Sequence, residues 1–140
     1  MTRQRFLQTA SAVAALGGAA WVTKVAVLAA TDGDDSIVVG LLYVCGALGI
    51  TLGASWVGVR LAGERSLLLV VLLGALGPLL AFFVYDGFLD PFAKAALGDA
   101  GPAWFEDEAG ILVTGLVWLA ASLPMWLATT SPAPSAHPTT

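Results

Sequence analysis

Apolar residues gather in four long blocks, at 6–30, 37–61, 67–85 and about 110–128, separated by short polar stretches. Each block comes close to the ~20 residues that cross a ~30 Å hydrocarbon layer, and none shows the narrow 3.6-period stripe of a soluble bundle helix. The pattern predicts an all-α integral membrane protein, a four-helix transmembrane bundle occupying 1–128 as one domain. After it, 129–140 is rich in Pro, Ser and Thr without a charge, and is expected to be a disordered tail. Composition points the same way: of 140 residues 58% are hydrophobic and 11% charged, and mean hydropathy is +0.85. A soluble core of this size has no room for so much apolar surface, so the lipid bilayer is the first partner the chain requires.

The opening MTRQR followed by small apolar residues resembles a cleaved signal peptide. Hydrophobicity nevertheless continues through WVTKVAVLAA for a full span, and Gln8, Thr9 and Ser11 interrupt the early stretch. The first block is therefore read as a span.

Charge sorts by connection. Arg3, Arg5, Arg60, Arg65 and Glu64 fall at one end of the spans; Asp32, Asp34, Asp35, Asp86, Asp90, Asp99, Glu106, Asp107, Glu108 and Lys94 fall at the other. Lysine and arginine in short loops stay in the cytoplasm, which predicts a multi-pass protein of the cell membrane with both termini cytoplasmic. The lack of Asn and the wealth of Ala, Gly, Val and Leu hint at a GC-rich bacterial genome.

Local signals refine the ends. Ser66 is placed to cap the third helix, and Glu106, Asp107 and Glu108 to start the fourth, where negative charge suits the helix dipole. In the long outer connection, Asp90 as N-cap, Pro91 in the first turn and Gly98 as the stop predict a short helix. Its apolar residues are expected to lie along the membrane interface. Gly77-Pro78 and Pro124 are expected to kink the third and fourth spans.

The chemistry available is sparse. One cysteine, Cys45, excludes a disulfide and a thiol pair. A pI near 4.6 argues against nucleic acid, which needs a basic face. The single histidine, His137, lies in the tail, so no metal or Ser-His-Asp set is expected, and TDGDDS lacks the ligand spacing of a calcium loop. No cofactor is implied. Lys24 stands out, because an ammonium within a span is costly and by default marks a function. It shares a stripe with Gly17 and Ala20 and is expected to face the bundle, or else to snorkel outward. Lys24, Tyr43, Asp86 and Thr114 are expected at similar depth, with Asp86 or one of Asp32, Asp34 and Asp35 neutralising the lysine; no acid is expected deep in a span. Gly17, Gly46, Gly49 and Gly53 are read as helix-packing positions, within the chain or between copies or with a membrane-protein partner.

These features favour a non-enzymatic accessory or scaffold subunit that acts through helix packing. The alternative is a small transporter or channel component with its polar site around Lys24. Small multidrug transporters carry a membrane-embedded glutamate in the first helix, where this chain has Lys24, so that resemblance fails at its functional residue.

Overall fold

Two serines and a proline set where the long helices begin. Ser36 Oγ accepts the Val39 N–H and Ser66 Oγ accepts the Leu69 N–H, both at 3.4 Å, satisfying donors that a helix start leaves without partners. Pro102 has no N–H to lose, and its carbonyl accepts the Phe105 N–H at 2.8 Å. The computed structural model describes residues 3–63 and 66–130. In it these signals open α2 (Ile37–Ala62), α3 (Leu67–Val84) and α5 (Ala103–Thr130), which follow α1 (Arg3–Ala30). A shorter α4 (Asp90–Leu97) lies between α3 and α5. All four long helical segments are long and apolar enough to cross a membrane, the third counted through to Ala100. No strand occurs among the described residues. Of the tail expected at 129–140, Thr129 and Thr130 instead belong to α5, and 131–140, with His137, lies outside the described residues, as do Glu64 and Arg65.

Two expectations are corrected here. The fourth span was expected from about residue 110, but α5 begins at Ala103, because Gly101-Pro102 is the true break and the acidic run is tolerated inside the first turns. Asp90 was expected as an N-cap, but its backbone is already helical, at φ −65° and ψ −51°. The chain runs from α3 through a π-helical turn (Tyr85–Leu89) directly into α4. Pro91 explains the wide turn: its ring clashes with the carbonyl four residues back and it donates no hydrogen bond, and a π-turn absorbs both defects. The Asp90 carboxylate instead bonds Lys94 one turn on, at 3.1 Å. Gly98 ends α4 as expected, but with φ −55° it uses none of glycine's left-handed freedom.

Lateral order follows from where side chains are missing. On α1, a Cβ at Gly17 meets Gly49 Cα at 2.7 Å, and one at Gly18 meets the Gly115 carbonyl at 2.7 Å. Adjacent residues on a helix point about 100° apart, so these two glycines let α1 touch α2 on one side and α5 on the other. On α2, Gly46 makes room for the Trp21 indole, while Gly53 receives Trp118 and Ala14. Its other face, Ala54 and Gly58, meets α3 at the Gly77 and Leu73 backbones. Helix α1 is therefore the centre, α3 touches α2 but not α5, and α4 folds back on α5.

The close approaches set a test. Gly49→Leu forces α1 and α2 apart and should cost about 1–3 kcal/mol, the usual penalty for overpacking. Gly40, whose added Cβ meets nothing within 4 Å, should tolerate alanine with a gain of up to about 1 kcal/mol. Denaturant titration in detergent, followed by circular dichroism, reads both.

Candidate functional site

The polar centre lies in the half of the bundle nearer the acidic loops. Lys24 is six residues before the end of α1, roughly 9 Å, and Glu108 is five residues into α5, roughly 7.5 Å. Because the two helices are antiparallel neighbours, the two side chains come level. The Lys24 ammonium binds both carboxylate oxygens of Glu108. The lysine side chain is 8% exposed and the glutamate 16%. Burying either charge alone is expensive; the pair survives because each ion replaces the other's water.

Aromatic rings enclose the pair from the side of α2 and α3. The Lys24 ammonium lies 5.7 Å from the ring centroid of Tyr43, within the range in which a ring's negative face attracts a cation. Trp21, one turn before Lys24, stacks on Tyr43 with centroids 6.0 Å apart and packs obliquely on Tyr85 at 5.9 Å. Its indole N–H donates to the Tyr43 carbonyl at 3.0 Å. The position is available because Gly46 has no side chain to occupy it. Beneath the rings lies a cavity of about 140 Å³ between α1, α2 and α3, reached by Ile50, Pro78 and Phe82.

Of the four residues expected to converge, the structure brings Lys24 and Tyr43 together. Asp86 is exposed on the π-helical turn, and neither it nor Asp32, Asp34 or Asp35 pairs with the lysine. Their place is taken by Glu108, which the shorter expected span had put outside the membrane. Thr114 is buried, 3% exposed, yet its hydroxyl has no hydrogen-bond partner among the described residues, so nothing ties it to the ion pair. Neither Trp21 nor Tyr85 is among the residues that the sequence led us to expect at this site. The sequence signal for Glu108 was Pro102: starting the helix there places Glu108 more than a turn inside.

All four packing glycines, Gly17, Gly46, Gly49 and Gly53, are occupied within the chain by α1, α2 and α5 side chains or backbone. No group of three or more His, Cys, Asp or Glu arranged to hold a metal occurs among the described residues. Chemically the centre is a neutral, mostly dry tie between the first and last helices. It offers no unpaired charge and no nucleophile beside a base.

Removing one partner leaves the other ion buried alone, so Lys24→Met or Glu108→Gln should each destabilise the fold by about 3–5 kcal/mol. The double variant should recover most of that loss. A double-mutant cycle in detergent, with unfolding as the readout, checks the coupling; additive losses would mean that the two side chains do not interact.

No family model matches the chain, and no curated protein and no solved structure is significantly similar to it.

Proposed function

We propose that the chain is a non-enzymatic, multi-pass subunit of the cell membrane, with both termini cytoplasmic, that acts as an accessory or scaffold by packing α3 against a transmembrane helix of another membrane protein. The observation that carries this reading is the condition of α3. It is the most apolar of the four spans, with a window hydropathy of 2.8, and none of that window is buried. It leans on α2 and leaves Leu68, Leu72, Leu79 and Phe83 exposed. Those four fall within about 60° of one another around the helix, a single stripe turned away from α2.

The orientation is supported by the helix ends. Arg5 and Arg60 lie at the end where α2 turns to α3, and the acidic loop and α4 lie at the other, which the positive-inside rule assigns to the outside. On that side the π-helical turn and α4 leave Phe88 and Phe92 exposed, suited to the outer interface. Transport through a site at Lys24 is disfavoured, because Glu108 already neutralises the charge that would draw an anion. A copy of this chain is a less favoured occupant for α3, because the α3 glycines, Gly74 and Gly77, already face α2.

Two measurements test the reading. In a Cys45→Ser background, an impermeant thiol reagent applied to intact cells should label cysteines placed at Ser36 and Ala100 and spare those at Ala62 and Ser135; any other pattern overturns the orientation. A photo-crosslinking residue at Leu72 or Leu79 should give one discrete heavier species containing a second protein, whereas the same residue at Leu123 on α5 should not. Lipid adducts alone at Leu72 and Leu79 would sink the subunit reading, and a product of twice the chain's mass would replace it with self-association.

A further inference from the structure

We infer that the groove along α2 between α3 and α5, at the basic end of the bundle, binds one anionic phospholipid, with its acyl chains on α2 and its phosphate on Arg60. The groove exists because α5 packs on α1, barely touches α2 and does not reach α3. Two clefts fill the gap. One, of about 310 Å³, is walled by Ala54, Leu73 and Leu76; the other, of about 400 Å³, by Trp56, Ala121 and Pro124. Both are bordered by Val57 and Trp118, so they lie side by side along α2.

Two features at its end ask for an anionic oxygen ligand. The Trp56 indole N–H is buried and has no acceptor among the described residues. Indole is a donor only, and a donor left unpaired in an apolar setting loses the full value of its hydrogen bond. One turn on, the Arg60 guanidinium lies 5.7 Å from the Trp56 ring centroid and is exposed. Its planar fork matches a phosphate, and the ring beneath it holds the fork in place. A phospholipid carries phosphate and ester oxygens above two apolar chains, the same order of chemistry as Arg60, Trp56 and the two clefts.

A transmembrane helix fits poorly. The backbone carbonyls of such a helix are already bonded within it and offer the Trp56 N–H no acceptor. The site is also largely separate from the stripe of α3 assigned above to a partner: Leu73, Gly77 and Val84 lie at least about 80° around the helix from it, and Leu76 borders both. Failure of either reading leaves the other standing.

The test uses the full chain in detergent, with phosphatidylglycerol or phosphatidylcholine of identical acyl chains, and counts bound lipids by native mass spectrometry. Wild type should retain one phosphatidylglycerol at least about tenfold better than phosphatidylcholine, the gain expected of one charge-assisted bidentate contact. Arg60→Gln should erase that preference. Trp56→Phe should weaken both lipids severalfold and keep the preference. Arg5→Gln, at the same end but outside the groove walls, should behave as wild type. The assignment is overturned if wild type shows no preference, if Arg60→Gln retains it, if Trp56→Phe binds as tightly as wild type, or if Arg5→Gln loses as much as Arg60→Gln.

Discussion

Two adjacent glycines on α1 set the arrangement on which the rest depends. Lipid tails are as apolar as leucine, so helices in a membrane gain little from burying leucine and must gain from close van der Waals contact. Such contact requires backbones to meet. Gly17 brings α1 onto the Gly49 backbone and Gly18 brings it onto the Gly115 carbonyl, and because successive residues diverge by about 100°, one short stretch of α1 holds two neighbours. Everything placed at the acidic end inherits its geometry from these crossings: the depth at which Lys24 meets Glu108, and the slot over Gly46 into which Trp21 inserts.

The ion pair then does for the acidic end what glycine contact does for the middle. Helices α1 and α5 are the first and last of the chain, and the bond between Lys24 and Glu108 ties them across 84 positions of sequence. In a low-dielectric setting the penalty for separating the charges is larger than the net gain from bringing them together. The pair therefore acts less as added stability than as a constraint on which helix lies beside which. A shifted register of α5 would leave both ions alone in lipid, so the pair excludes alternatives that glycine packing by itself tolerates.

Much of the fold was readable because hydropathy and helix length are coupled directly to bilayer thickness: α1, α2 and α3 begin and end within a few residues of the apolar blocks. The fourth was misplaced because hydropathy was allowed to outrank the helix-start chemistry of Pro102. With α5 starting at Ala103, Glu108 falls in its second turn, level with Lys24, where a span counted from residue 110 leaves it among the acidic residues at the helix start. The candidate residues fared unevenly for a related reason. Depth along a helix can be counted from sequence, and Lys24 and Tyr43 do meet. Rotation and neighbour choice cannot be counted without knowing which helices touch, so Asp86 and Thr114, at suitable depth, are not joined to the pair. The glycine positions were legible as packing sites, but not whether the other helix belonged to the same chain.

The two ends of the bundle solve the same problem differently. At the acidic end, α4 folds back over α5 with Asp90 seated against Gly110, and the ion pair and stacked rings fill the interior. At the basic end no helix among the described residues returns to close the gap between α3 and α5, where Trp118 lies partly buried over Gly53. Among the described residues the Trp56 indole N–H has no acceptor and α3 has no buried residue. The described helices thus cover the acidic end and leave α3 uncovered along its length, and the proposed role in lateral association rests on that contrast.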